Sequence, residues 1–344
     1  MSAPAYAELQ VTSNFSFLRG ASAAEELLAA AAAMGIEAMA VTDRNTLAGI
    51  VRAHEAAKEA GVRLIVGCRL DLVCGMSALV YPTDRAAWSR LCRLLSLGKG
   101  RAGKARCHLE WDDLTAYGEG LIAVLVPDLA DETCGLRLRR LRDSFGDRAY
   151  LGLTLRRRPN DQMRLWELST LAARIGVPTV VTNDVLFHEP GRRILQDVVT
   201  AIRHNVTVDA LGARRERHAD RYLKPPEEMA RLFSRYPEAL ARSGEIVDRH
   251  QRLLGAGVPV LALAELVDVV ALLIGIFLCD FARFVLGGEA ELEQLRWAFL
   301  AGIAVVQGEG SDGQLFAIAE LLDQGFLQWA DYQLHAVGLR LLVE

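Results

Sequence analysis

Short apolar runs alternate with longer stretches rich in alanine and leucine over the first 200 residues. The short runs have the length of strands, and the longer stretches have the spacing of helices. We therefore predict an α/β fold built from parallel βαβ units. The predicted strands are Tyr6–Val11, Ala38–Val41, Leu64–Val66, Ala78–Val80, Leu121–Val126, Tyr150–Leu155 and Pro178–Val181. The predicted helices include Ala23–Met34, Gly49–Ala60 and Gln162–Ile175.

Polar side chains recur where the predicted strands end. At least six such strands favour a closed or nearly closed barrel, in which chemistry lies at the carboxyl ends of the strands. The alternative is that Asp and Asn at these places only cap the helices that follow. The strand-end residues are Gln10, Thr12, Asp43, Arg44, Arg69, Asn183 and Asp184.

Charge divides the chain into two parts. The net charge of the 344 residues is −4, which argues against a nucleic-acid binder held mainly by charge. Residues 1–250 carry 35 Lys and Arg against 31 Asp and Glu, whereas residues 251–344 carry 4 against 12 and no lysine. We therefore predict one domain over residues 1–250 and a separate acidic segment over residues 251–344.

The acidic segment has the pattern of amphipathic or buried helices. Its apolar stretches are Leu261–Leu286, Ala290–Val306 and Gln314–Leu342. The longest uncharged run, Val269–Cys279, is too short to span a bilayer, so we expect no membrane association. Exposed apolar helices here would favour a dimer or a partner protein. Six scattered cysteines and the absence of a basic leader followed by an apolar run indicate a reduced, cytoplasmic chain.

Several segments of residues 5–250 resemble a known domain in their order and spacing. The first of them, Glu8–Ser22, reads ELQVTSNFSFLRGAS, and its part Leu9–Leu18 is similar to the error-prone branch of bacterial C-family DNA polymerases. Together they resemble the PHP (polymerase and histidinol phosphatase) domain of those polymerases. The other segments are Gly35–Gly49, Ala56–Cys68, Val80–Arg85, Val181–Asp184 and Tyr222–Met229.

The resemblance implies a fold and a role. The family fold is a distorted (β/α)7 barrel, and active members hold two or three metal ions and hydrolyse phosphoesters. The parent polymerases carry out DNA-directed DNA synthesis in replication and in the damage-induced (SOS) repair response, including translesion synthesis. Their palm domain, which uses Mg²⁺, is a nucleotidyltransferase. The partners implied are a polymerase body and other proteins of the DNA-damage response.

Most residues at the family's metal-ligand positions differ in this chain. Gln10 and Thr12 stand in place of a His-x-His pair, and Leu186 stands where a histidine is expected. Arg44 and Arg69 also replace ligands, and a guanidinium cannot donate a lone pair to a metal.

Two carboxylates, Asp43 and Asp184, remain at these positions, and His188 is the best candidate for a displaced ligand. We predict a vestigial pocket without metal, cofactor or catalytic residues, in which Asp43 or Asp184 pairs with Arg44 or Arg69.

A basic, glycine-interrupted segment is a candidate for DNA contact. Lys99, Arg101, Lys104 and Arg106 lie in it, and we predict a loop that contacts phosphates without reading bases. The alternative is a solvated surface. The segment lacks the interleaved aromatic residues of a single-strand platform.

The chain shows no palm-like pair of aspartates after residue 250, so we expect no polymerisation by this chain alone. The hypothesis is a truncated or short form of an error-prone polymerase, with a structural PHP domain. The first alternative is a residual metal-dependent phosphoesterase or 3′–5′ exonuclease, which would bind metal through Asp43, Asp184 and His188. The second alternative, from the barrel pattern alone, is an unrelated barrel enzyme with an organic substrate.

Overall fold

Strands and helices alternate along the part of the chain that the computed structural model describes, residues 6–103 and 106–254. The strands are β1 (Glu8–Val11), β2 (Ala38–Val41), β3 (Arg63–Val66), β4 (Cys68–Asp71), β5 (Ser77–Pro82), β6 (Leu121–Leu125), β7 (Ala149–Leu153) and β8 (Thr179–Val181). The helices are α1 (Ala24–Ala33), α2 (Ile50–Ala60), α3 (Arg85–Arg101), α4 (Trp111–Ala116), α5 (Glu132–Phe145), α6 (Asp161–Ile175), α7 (Arg193–His204), α8 (Pro226–Leu232) and α9 (Pro237–Leu254). The α/β class predicted from the sequence is confirmed.

The strands form two sheets. Strands β1, β2 and β3 are parallel neighbours in the first sheet, and β4 to β8 follow one another in the second. In the second sheet β6, β7 and β8 are parallel, but β4 and β6 each run antiparallel to β5. The expectation of purely parallel units is therefore wrong for this region. Strand β4 was not predicted, and the short turn that joins it to β5 leaves no room for a crossover helix.

Isolated bridges join the two sheets at two places. Val11 at the end of β1 pairs with Val185 just beyond β8, and Arg44 just beyond β2 pairs with Arg69 in β4. Backbone hydrogen bonds of 2.8 to 3.0 Å reinforce both joints. The joints bring the carboxyl ends of β1, β2 and β8 close to β4.

Alternate strand residues face two different apolar surroundings. One set, which includes Leu9, Ala40, Tyr81 and Tyr150, forms a cluster to which strands of both sheets contribute. The other set in the first sheet, such as Met39 and Val41, packs with α1 and α2. Successive side chains of a strand point to opposite faces, so both faces of the strands are buried and their sequences read as continuous apolar runs.

Helix α9 lies at the starts of several strands. The backbone N–H of Ala7 donates to Ser243 Oγ at 3.0 Å, and Arg242 donates to the carbonyl of Thr179 at 3.1 Å. Arg249 donates to Asp147, just before β7. The starts of β1, β7 and β8 are therefore covered by α9, whereas the polar strand-end residues are grouped elsewhere.

The described residues belong to one compact unit. The helices predicted within 261–342 lie outside the described residues, so the domain division at residue 250 stays a prediction. None of the described helices is long and apolar enough to cross a membrane.

Candidate functional site

A buried carboxylate, Asp184, lies at the centre of the strand-end residues. It follows β8 and has a left-handed backbone, with φ of 54°. An aspartate tolerates this conformation better than most residues. The side chain is fully buried, so its charge needs compensation from neighbouring groups.

Gln10 and three arginines surround the carboxylate of Asp184. Gln10 Nε2 donates to Oδ1 at 2.9 Å, and Arg221 Nη2 lies 2.7 Å from Oδ2. Arg156 also donates to Oδ2, and Arg69 Nη1 lies 3.9 Å from Oδ1. Burial alone would raise the pKa of Asp184, but the surrounding guanidinium groups, that of Arg156 first, hold it well below its usual range. Asp184 is therefore an anion held by arginine.

Gln10 is oriented by a second hydrogen bond. Thr182 Oγ1 donates to Gln10 Oε1 at 2.8 Å, which leaves the amide nitrogen facing Asp184. An amide that accepts on one side and donates on the other has a partner for each of its polar atoms in a buried position. Gln10 stands where the family resemblance implies a histidine, and its side chain here donates a hydrogen bond to a carboxylate.

A second arginine–carboxylate cluster is centred on Asp71. Arg44 Nη1 lies 2.6 Å from Asp71 Oδ2, and Arg69 Nε lies 3.0 Å from Oδ1. Ser77 Oγ donates to the same carboxylate at 2.5 Å. Burial would raise the pKa of Asp71, but Arg69 and Arg44 lower it. Burial and the charge of Arg69 lower the pKa of Arg44 to about 10, so Arg44 stays charged at neutral pH.

Asp43 has no arginine partner among the described contacts. The predicted pairing of an arginine with Asp43 is therefore not observed, whereas an arginine does lie near Asp184. Its Oδ1 accepts from the backbone N–H of Ser13 at 2.9 Å and from Ser16 Oγ at 2.6 Å, and its Oδ2 accepts from Ser13 Oγ at 2.7 Å. Burial raises the pKa of Asp43, and these hydrogen bonds oppose that rise. The arginine that follows it in the sequence turns instead to Asp71.

The remaining predicted pocket residues lie at the edge of this arrangement. Thr12 is buried and its N–H donates to the carbonyl of Val185 at 2.9 Å. His188 Nδ1 lies 2.8 Å from Ser22 Oγ, and its Nε2 lies 3.9 Å from Glu189. Leu186 packs with Ala21 and Phe187. In the described part of the chain, no group of three or more His, Cys, Asp or Glu side chains is placed to hold a metal ion.

Three residues of the two clusters were missed by sequence reasoning. Asp71 could have been found, because residues 69 and 71 of one strand point to the same face. Arg156 stands three residues after β7 in a run of three arginines, and such a run does not indicate which carboxylate its members meet. Arg221 carried no local signal, because it lies 37 residues from Asp184.

The candidate DNA-contact residues are only partly in a loop. Lys99 and Arg101 belong to the last turn of α3, so the predicted loop begins later than expected. Arg101 is ion-paired with Asp113 at 2.6 Å, and Arg106 is exposed. Lys104 lies outside the described residues. Gly100, within this segment, does not end the helix, and α3 continues to Arg101.

Comparison with known proteins identifies a family for the first part of the chain. A family model described as the PHP domain matches residues 8–152. This part of the chain is a PHP domain, as the resemblance predicted.

The relatives of the chain show which kind of protein carries a similar domain. The chain is 70% identical over 249 residues to error-prone DNA polymerase 1 of Agrobacterium fabrum. This match covers 72% of this chain and 23% of that protein. The chain is 47% identical over 251 residues to an error-prone DNA polymerase of Caulobacter vibrioides, covering 72% of this chain and 23% of that protein. The chain is therefore homologous to error-prone DNA polymerases, and it spans under a quarter of the length of these curated relatives.

A solved structure of an amidohydrolase from Chromobacterium violaceum is also similar. The match has a TM-score of 0.41 and 17% sequence identity, and it covers 53% of this chain and 88% of that one. A similarity of this degree supports no argument about the site.

Proposed function

We propose that residues 1–250 are a PHP module without metal chemistry, which serves as a structural part of an error-prone DNA polymerase. The observation that carries the proposal is the surrounding of Asp184. Its two carboxylate oxygens accept from Gln10 and Arg156, Arg221 is ion-paired with it at 2.7 Å, and Arg69 adds a nearby charge. Three guanidinium groups thus lie around the carboxylate, where a divalent cation would have to bind.

The donor set does not fit a metal. A divalent cation needs several converging lone pairs from carboxylates and neutral imidazoles. Both oxygens of Asp43 are engaged by serines, and both oxygens of Asp184 accept from other donors. A guanidinium within 4 Å of a carboxylate also repels a cation that approaches the same group. We infer a degenerate metal site in which arginine supplies the positive charge.

We also infer that the two sheets represent the distorted (β/α)7 barrel of the resemblance. The isolated bridges Val11–Val185 and Arg44–Arg69 support this, because each connects one sheet to the other. The antiparallel β4–β5 pair accounts for the distortion. The arginine of β4 thereby reaches both Asp71 and Asp184.

The proposed role is scaffolding within or beside a longer polymerase. The relatives are named as DNA polymerases, and the chain matches under a quarter of their length. DNA synthesis, its Mg²⁺ requirement, translesion repair in the SOS response and a cytoplasmic location are proposed for that larger system. The polymerase body is the proposed partner of the PHP module.

Metal analysis and an activity assay on the full chain test this proposal. The purified protein is incubated with Mn²⁺ or Zn²⁺, freed of unbound metal and assayed for bound metal and for hydrolysis of bis(p-nitrophenyl) phosphate. We expect bound metal well below one ion per chain and no hydrolysis above buffer.

Variants separate the proposal from the phosphoesterase alternative. Asp43→Asn removes a charge from the pocket, and Asp143→Asn is the control, because Asp143 is an exposed surface residue of α5. One or more ions per chain, with hydrolysis that Asp43→Asn abolishes and Asp143→Asn leaves intact, would overturn the proposal. That result would establish a metal-dependent phosphoesterase.

A further inference from the structure

A cleft of about 650 Å³ lies beside the Asp71 cluster. It is bordered by the loop after β1, by the end of α3 with the residues that follow it, and by α7. Arg44 and Asp71 form part of its wall and are paired with each other. The cleft thus adjoins the arginine–carboxylate network without being part of the surroundings of Asp184.

Positive charge dominates this cleft. Four cationic residues line it besides Arg44, and they come from three separate segments: Arg19, Lys99, Arg106 and Arg203. Asp71 is the one acidic residue among the described residues that line it, and its carboxylate already holds two guanidinium groups. Burial and the charge of Arg19 lower the pKa of Arg203, so the cations repel one another. Such a cluster favours a polyanionic ligand.

The same cleft presents an exposed aromatic ring. Phe17 is 79% exposed, although it belongs to a loop whose other residues are mostly buried. Its neighbour Phe15 packs so closely on the start of α2 that a Cβ at Gly49 would lie 2.7 Å from the ring. The ring of Phe17 is therefore exposed to solvent, whereas the ring of Phe15 packs against the protein. Exposed aromatic rings next to cations are the elements of a single-strand platform.

The loop that carries Phe17 is held in place from both sides. Asp43 accepts from Ser13 and Ser16, and Ser16 Oγ accepts from the N–H of Arg44 at 2.9 Å. Leu18 has a left-handed backbone with φ of 56°, and Arg203 donates to its carbonyl at 2.9 Å. A strained, fixed backbone of this kind persists when surrounding contacts determine it, and it often marks a binding site. Asp43 therefore acts as a positioning residue for the loop.

We propose that this cleft binds single-stranded nucleic acid. Arg19, Lys99 and Arg106 contact phosphates, and a base stacks on Phe17. A base inside a duplex offers no free face to Phe17, so duplex should bind more weakly. The sequence lacked aromatic residues within the basic segment, but the fold supplies one from the loop after β1. The inference is argued from the cations of the cleft and from Phe17, and Asp184 takes no part in it.

Fluorescence anisotropy with a labelled oligothymidylate of about ten nucleotides tests the proposal on the full chain. We expect Phe17→Ala to weaken binding by about tenfold, whereas Trp166→Ala, which removes an exposed aromatic residue of α6, should have no effect. Lys99→Gln with Arg106→Gln should reduce the slope of log affinity against log salt by about 1.4, the value expected for two lost phosphate contacts.

The control for the charge change is Arg139→Gln with Arg174→Gln, which removes two exposed charges from α5 and α6. Unchanged affinity in Phe17→Ala would overturn the proposal. Equal losses in the control variants, or duplex that binds as tightly as the single strand, would also overturn it. Each of these outcomes leaves the metal analysis of the pocket unaffected, so the two proposals fail separately.

Discussion

The side-chain amide of Gln10 donates a hydrogen bond of 2.9 Å to the carboxylate of Asp184, which lies 174 residues further along the chain. Both residues occupy positions where the family resemblance implies metal coordination. In this chain they instead share a buried network with Arg69, Arg156 and Arg221. The network changes what each residue does for stability, and those changes can be measured.

Asp184→Asn should lower the free energy of unfolding by about 3–5 kcal/mol. The substitution leaves the guanidinium groups of Arg156 and Arg221 without their buried counter-charge. Urea unfolding followed by circular dichroism gives the value. The control, Asp143→Asn, alters an exposed pair with Arg142 and should cost less than about 1 kcal/mol. Similar losses in the two variants would contradict the view that Asp184 is the centre of the network.

Glu8 should make the protein less stable as the pH rises towards neutrality. Burial raises the pKa of Glu8 to about 7 in the folded protein, whereas an unfolded glutamate has a pKa of about 4.3. The stabilising effect of this raised pKa is fully present below about pH 4.3 and is lost as the pH rises through 7.

The comparison of the unmodified protein with Glu8→Gln isolates this effect. The amide oxygen that the substitution introduces can still accept from the N–H of Gln10, and the amide nitrogen can donate to the hydroxyl oxygen of Tyr6 in place of the bond that the carboxylate accepts. Between pH 4 and pH 8 the unmodified protein should lose about 3 kcal/mol relative to this variant. Glu119→Gln, which changes an exposed residue, should give a parallel profile to the unmodified protein. A constant difference between the Glu8→Gln variant and the unmodified protein would show that Glu8 does not titrate in this range.

Asp43→Ala should release the loop that carries Phe17. The change removes the acceptor of the buried Ser13 N–H and of two serine hydroxyls, and an unsatisfied buried donor costs about 1–3 kcal/mol. Limited chymotrypsin digestion should then cleave after Phe17 faster than in the unmodified protein.

The control for that experiment is Asp131→Ala. Asp131 caps α5 by accepting from the N–H of Cys134 at 2.7 Å, so its loss costs about 1 kcal/mol in a different region. It should leave cleavage after Phe17 unchanged. Equal acceleration in both variants would indicate general destabilisation and would contradict the positioning role of Asp43.

Gly20→Ala should destabilise the same loop. A Cβ at this position would lie 2.2 Å from the carbonyl oxygen of Ser13, and because that oxygen belongs to the backbone, the loop has to shift. Gly100→Ala is the matched control, since a Cβ there meets nothing within 4 Å and the site lies in α3. We expect a lower melting temperature for the first variant and an equal or higher one for the second, because alanine favours a helix by about 1 kcal/mol over glycine. A melting temperature unchanged by Gly20→Ala would show that the loop accommodates the methyl group.

Much of the fold could be predicted from the sequence because its signals are local. The apolar run Ala38–Val41 and the helix that ends before Gly61 depend on neighbouring residues alone, and the structure has both. The strand ends at Asp43 and Asp184 follow from the same pattern. Strand β4 was missed because Gly67 interrupts the apolar run between it and β3, and nothing local marks an antiparallel return.

The sequence by itself determined that the metal-ligand positions of the PHP resemblance carry Gln10, Thr12, Arg44 and Arg69, since that depends only on which side chains are present. The tertiary structure alone decided which carboxylate each arginine meets. Arg44 turns to Asp71, Asp43 binds two serines, and Asp184 receives arginines from distant segments. Charge pairing in a buried site depends on distance and desolvation in three dimensions. Neither quantity is encoded in the spacing of residues along the chain.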